Sequence, residues 1–280
     1  MSQAPPTLTD RIALARNRAR TRNDALFLHD AAADRFDETI SAVNRTFTCP
    51  AVVTGHPAFW AARHPGAQIV ADDAALALEP GAHDLILHAM ALHWADDPVG
   101  QLVQARRALK PDGLFLAACF GGRTLSELRQ ALAEAETATR GGISPRIAPM
   151  MEVRDGGALL QRAGFALPVA DTDRFTVTYA DVSALMRDLR HMGEGNALAS
   201  RDARPIPRSM LDAARNAYSA PDPGDPARIA TTFELMHLSG WAPAESQPKP
   251  LRPGSAAARL ADALGGAEHP LRDDSHERGD

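Results

Sequence analysis

Three histidines stand five residues apart at His83, His88 and His93, a pattern to test first for metal chemistry. A zinc-type centre needs several converging ligands, with thiolates or carboxylates beside the imidazoles. These three straddle a turn, an apolar strand and a loop, so nothing in the pattern makes them converge. No metal site is expected. Cys49 and Cys119 lack Cys-x-x-Cys spacing and read as small buried hydrophobes in a reducing compartment. Gly-x-Ser-x-Gly, a Walker phosphate loop and His-Glu-x-x-His are all missing from the sequence. Four groups remain: Val53-Thr54-Gly55-His56-Pro57, Asp72-Asp73, His93-Trp94, and the arginines 123, 146, 187 and 190. The arginines suit either bidentate capture of a carboxylate or a plain solvated role. Trp94 reads equally as core or as the wall of a pocket mouth. Asp72 reads either as a turn residue or as a strand-end acid facing a ligand.

The elements that must position these groups follow from periodicity. Residues 1–9 look disordered. Asp10 is placed to cap a helix whose arginines 11, 16, 18, 20 and 22 run without an acid among them. Those arginines form a solvated face or a docking surface for an acidic partner or lipid headgroups. A second helix is expected over 29–43. Strands follow at 51–55, 69–70 and 84–88, with a short helix at 58–63 between the first two. Asp97 and Pro98 open a helix as N-cap and first-turn residue. Lys110-Pro111-Asp112-Gly113 turns it into the apolar run Leu114–Phe120, a strand covered on both faces. Thr124 and Glu127 form a capping-box pattern for a helix to about Thr139. Asp155 is read as the cap of a helix that stops at Gly164. Strand pieces are expected at 165–169 and 175–179, and Asp181 caps a helix over 182–192. A helix over 207–218 and a last strand over 229–238 complete the pattern. Strand, crossover helix, strand is the parallel α/β rhythm.

At 280 residues, 45% of them apolar, the chain can bury one sizeable core. A net charge of −5 gives no sign of nucleic acid, which needs a clustered basic face. No apolar run approaches the roughly 20 residues of a membrane span, and the first residues lack a signal-peptide pattern. A cytoplasmic protein is expected, with peripheral membrane contact left open. The organisation read here is an N-terminal helical extension (1–45), a central α/β domain (46–243) with a helical insert at about 181–226, and a disordered tail (244–280).

Asp84-Leu85-Ile86-Leu87, Leu92-His93-Trp94 and Lys110-Pro111-Asp112-Gly113 resemble strand four, its following loop and the turn into strand five of class I S-adenosylmethionine methyltransferases. Five longer strings sharpen the likeness: FGGRTLSELRQAL (120–132), GGISPRIAP (141–149), LLQRAGF (159–165), LMRDLRHMGEGNA (185–197) and SGWAPAESQPKP (239–250). In that order they resemble the mitochondrial complex I assembly factor that hydroxylates an arginine, with its bacterial relatives. More distantly they resemble the malonyl-carrier-protein methyltransferases. The resemblance implies a Rossmann-like fold, S-adenosylmethionine as cofactor, and Gly55, Asp72, Asp73, His93 and Trp94 as the residues that would meet it.

The front of the domain departs from that pattern. The family carries several glycines after strand one, so that the backbone can approach the cofactor. Here a single glycine, Gly55, precedes His56-Pro57, and Pro57 offers no amide donor. Too few residues separate Gly55 from Asp72 for a full βαβ unit of roughly 30 residues. Val70-Ala71-Asp72-Asp73 therefore reads as strand three, with strand two and a crossover helix missing. Two functions are expected from this sequence. One is an S-adenosylmethionine-dependent enzyme methylating, or hydroxylating an arginine of, a protein such as a complex I subunit. The other is a degenerate, cofactor-free assembly chaperone of the same fold.

Overall fold

A computed structural model describes residues 7–247. The tail expected to be disordered falls largely outside these residues, as do residues 1–6. Leu8 and Thr9, expected to be disordered, are ordered: both amides donate to Asp96 Oδ1, at 2.7 and 2.9 Å, and the Thr9 hydroxyl donates to Trp94 O.

The elements are α1 (Arg11–Arg18), α2 (Phe27–Ala42), β1 (Pro50–Thr54), α3 (Pro57–Arg63), β2 (Gln68–Ala71), β3 (His83–Ala89), α4 (Pro98–Ala108) and β4 (Leu109–Phe120). They continue with α5 (Ser126–Arg140), α6 (Val153–Ala163), β5 (Ala166–Tyr179), α7 (Val182–His191), α8 (Arg208–Ala217) and β6 (Ile229–Trp241). Three helix caps follow the sequence: Asp10 accepts from Ala13 N, Asp97 from Gly100 N and Asp181 from Ala184 N. Two do not. Leu125, in the left-handed region, precedes α5 with no side-chain cap. Thr124 and Glu127 instead bind β6, through Glu234 and Thr232. A cross-element partner outcompetes the local box. Asp155 lies inside the first turn of α6, after an N-cap Glu152 that makes no capping bond. The two strand pieces expected around 165–179 are one strand, held along its length by β6.

Strand order in the sheet is β2-β1-β3-β4-β6-β5. β1 pairs in parallel with β2 and β3, and β3 with β4, while β6 runs antiparallel between β4 and β5. Alternating side chains feed two cores, as a period of two requires. Val52, Leu85, Leu87 and Leu116 face α2, α5, α7 and α8. Ala51, Val53, Ile86 and Phe115 face α4 and α6. The fold is therefore α/β and Rossmann-like.

Six strands form the sheet among the described residues, and the expected place of the gap, at strand two, needs correcting. Gln68–Ala71 pairs directly with β1 and so takes the inner place beside it, where strand two stands in the doubly wound order. What lacks a counterpart is the outer strand beyond it. The β1–β2 connection carries the seven-residue α3. That is enough to reach a neighbour about 4.8 Å away and too little to cross a further strand.

Candidate functional site

From β1 the chain leaves for β2 on one side, and β3 lies on the other. In open α/β sheets this reversal creates a crevice at the carboxyl ends of the strands, where ligands bind. β1 ends there in Thr54-Gly55-His56, β2 in Asp72-Asp73, and β3 in the single helical turn Leu92–Trp94.

Helix α1 lies over the first half of this crevice. Arg18 grips Asp72 in a two-pronged pair, Nη1 to Oδ1 at 2.7 Å and Nη2 to Oδ2 at 2.9 Å. Arg11 adds a bond from Nη2 to the Asp72 carbonyl at 2.9 Å and another to Asp73 Oδ1 at 3.2 Å. Burial alone would raise the Asp72 pKa. Hydrogen bonds and charge from Arg18, then Arg11, overcome that and hold it at about 2. The Arg18 guanidinium also crosses Gly55: a Cβ there would stand 2.0 Å from Arg18 Cζ. Gly55 is thus required, but the group approaching its backbone belongs to the protein itself.

The second half centres on Glu194, from the irregular segment after α7. Its Oε2 accepts from Trp94 Nε1 at 2.8 Å and lies 3.3 Å from His93 Nε2, while Oε1 is buried with no partner among the described residues. Burial would raise this carboxyl. The charge and hydrogen bond of His93, the charge of Arg18 and the Trp94 bond bring it to about 2, so it stays ionised. Behind it lie His29 and His56, with ring centroids 4.5 Å apart. Burial first, then the charge of its neighbour His56, depresses His29 to about 3, and burial lowers His56 as well. Beside Glu194 opens a cavity of about 360 Å³, walled by Trp94, Phe120, Leu125, Leu128 and Met186, with Arg20, Arg146, Arg190 and Arg201 also lining it.

The structure thus brings Gly55, Asp72 and Asp73 together under α1, and places His93 and Trp94 on the opposite side around Glu194. The histidine series does not converge. His83 Nδ1 faces the Cys49 carbonyl at 3.1 Å, and His88 Nε2 faces Gln101 Oε1 at 2.8 Å. Of the singled-out arginines, Arg146 is structural, held by Glu136 at 2.6 Å. Arg187 and Arg190 join Arg20, Arg22 and His191 around a shallow basic depression. Sequence reasoning missed Glu194 and His29 as members of the site, and singled out His56 only within the turn after Gly55. The one local signal for Glu194 was Gly193-Glu194-Gly195, a polar kink straight after an amphipathic helix.

In this arrangement the crevice does not fit S-adenosylmethionine in the usual way. Arg18 takes both oxygens of the strand-end acid. The same side chain covers the lone glycine, and Pro57 removes an amide from the turn.

The segment 51–117, from β1 into β4, matches the family described as "Methyltransferase domain". The rat protein "Arginine-hydroxylase NDUFAF5, mitochondrial" (Rattus norvegicus) is 41% identical over 201 residues, covering 71% of this chain and 57% of that protein. Together with the strand order, these matches decide the family. The chain belongs to the class I methyltransferase superfamily. Within the superfamily it is closely related to the NDUFAF5 arginine hydroxylases, the human protein being 40% identical over 192 residues, 69% of this chain and 55% of that one. "Malonyl-[acyl-carrier protein] O-methyltransferase" of Laribacter hongkongensis is 36% identical over 183 residues, 65% of this chain and 59% of that one. The chain spans a little over half the length of the curated relatives it matches. The expected cytoplasmic location does not stand, because the arginine hydroxylases are named as mitochondrial proteins. Composition carries no record of compartment. No helix among the described residues is long and apolar enough to cross a membrane.

Proposed function

We propose that this methyltransferase-fold protein acts on a protein side chain during complex I assembly, as an arginine-modifying enzyme of the NDUFAF5 branch. The observation that carries this reading is the apolar cavity of about 360 Å³ over the carboxyl ends of β3 and β4, with ionised Glu194 in its lining. Apolar walls with a few placed polar groups are how such pockets take an extended side chain. Trp94, Phe120 and Leu125 would exclude water from the methylene stem. Glu194 would set the field at its polar end, while His93 and Trp94 fix the carboxylate's orientation. Holding the reacting group in place is the main catalytic contribution of such a site.

S-adenosylmethionine is the cofactor the family implies, with Gly55, Asp72, Asp73, His93 and Trp94 framing its crevice. Arg18 has to release Asp72 before that crevice can receive it. The test incubates the full chain with a complex I core subunit under S-adenosylmethionine, dioxygen and reductant, and maps arginine masses. Gain of one oxygen supports hydroxylation, and gain of one methylene supports methylation. An unmodified client that still binds, with no S-adenosylmethionine binding, would overturn the enzymatic reading in favour of the chaperone role.

A further inference from the structure

His29 at the start of α2, His56 after β1 and Glu194 after α7 converge although they are far apart in sequence. One ligand atom from each lies within 4.8 Å of the others. All three side chains are buried. Within these side chains, His56 Nε2 and Glu194 Oε1 are buried with no hydrogen-bond partner among the described residues. An orphaned imidazole nitrogen and an orphaned carboxylate oxygen, on side chains that converge, ask for a ligand to satisfy them. We propose that His29, His56 and Glu194 form a binding site for a divalent first-row transition-metal ion.

The donor set supports this class of ion. Two imidazoles and one carboxylate, with further positions open, is the arrangement that suits iron(II), cobalt(II) or zinc(II) rather than calcium or magnesium. The charge balance agrees. Arg18 and Arg11 are matched by Asp72 and Asp73, and with Glu194 Oε2 engaged by His93 and Trp94 the partnerless Oε1 is the oxygen left to face a cation. Neutral imidazole is the ligating form, and burial holds both rings neutral. Gly193, at φ +82, lets the segment close over the site: a Cβ there would meet Thr21 Oγ1 at 2.6 Å and His56 Cε1 at 3.3 Å.

Two features set the cost of loading. Ligands at about 2.1 Å from one ion stand about 3 Å apart at a right angle, so the three side chains must draw inward. The Trp60 indole N–H donates to His29 Nδ1 at 3.1 Å, which leaves a proton on Nε2 of the neutral ring. Binding through Nε2 of the neutral ring must move that proton to Nδ1 and so break the Trp60 bond.

The site stands or falls independently of the enzymatic reading, because its test needs no client or activity. The chelator-treated full chain is titrated with Co2+ and Zn2+, and anaerobically with Fe2+. The expected result is one ion per chain, visible cobalt bands of nitrogen–oxygen ligation, and little net proton release in calorimetry across buffers of different ionisation enthalpy, since all three ligands are already in their ligating forms. Glu194→Gln, close to isosteric, and His56→Ala should each weaken binding at least about tenfold, while His64→Ala leaves it unchanged. Should His56→Ala fail to fold, Glu194→Gln decides. A folded chain that takes up none of the three ions at millimolar concentration would overturn the site and leave a buried water as its occupant. Binding that survives Glu194→Gln undiminished would equally overturn it.

Discussion

At the scale of single residues, the Arg18–Asp72 pair is the most consequential feature. Its side chains are 11% and 4% exposed. Removing one partner strands the other charge, at a cost of about 3 kcal/mol. Arg18→Met should therefore lower stability in denaturant titrations while freeing Asp72 and uncovering Gly55. Isothermal titration should then show tighter S-adenosylmethionine binding than in the parent chain. Unchanged affinity in a folded variant would mean that Arg18 does not guard the crevice. The pH response follows from groups around the same crevice. His29 titrates near 3 when folded, against an ordinary 6.5. The unfolded chain therefore binds a proton there that the folded chain refuses. Stability attributable to neutral His29 is full above about pH 6.5 and drains as pH falls toward 3. Asp72 and Glu194, both depressed to about 2 from 3.8 and 4.5, lose their contribution lower down, as pH falls from the ordinary carboxylate range toward 2. Unfolding midpoints should thus decline already between pH 7 and 5, and His29→Gln should make that first segment shallower, with buried His56 and His88 keeping the rest of it. The candidate acids at strand ends were legible because a polar residue closing an apolar run stands out. Glu194 was not, because its burial comes from how one irregular segment folds against Trp94, and no local pattern encodes that.

At the scale of elements, legibility tracked how local the deciding interaction is. Asp10, Asp97 and Asp181 cap their helices through bonds three residues long, which sequence spacing displays directly. Thr124 and Glu127 have the same spacing, yet their partners lie on β6, more than 100 residues away. β5 looked like two pieces because its middle, Asp171-Thr172-Asp173-Arg174, is polar, and pairing with β6 carries it through. These differences predict different mutational costs. Asp181→Ala should remove about 1 kcal/mol through the lost N-cap bond. Gly164→Ala should cost about as much, since Gly164 ends α6 at φ +84, where an L side chain is strained. Glu127→Ala should cost more than either cap, because it leaves the Thr232 amide and hydroxyl without their carboxylate on a half-buried face. Urea titrations of the three variants, read at constant slope, give that ranking directly.

At the scale of the whole molecule, the α/β rhythm and the superfamily were readable because repeated apolar strands and ordered motifs survive across the rear of the chain. The position of the missing strand was not readable, since sequence spacing counts residues while the sheet decides who pairs with whom. The helices read as an insert at about 181–226 pack into the main core. Leu185 and Leu189 of α7 and Met210 and Ala214 of α8 are buried in the same core as Leu28 and Phe36 of α2, Leu87 of β3 and Leu128 of α5. An element that supplies part of a shared core cannot melt without exposing the rest of it. The described chain should therefore unfold in one transition, with far-ultraviolet circular dichroism and tryptophan fluorescence giving the same midpoint. Met210→Ala, at a site with no solvent exposure, should shift both probes together by about 2–4 kcal/mol through the cavity it leaves. A variant in which helical signal is lost first, while the fluorescence of fully buried Trp60 beneath α2 holds, would show the insert to be an independent module. The cavity beside Glu194 would then have a movable wall rather than a fixed one.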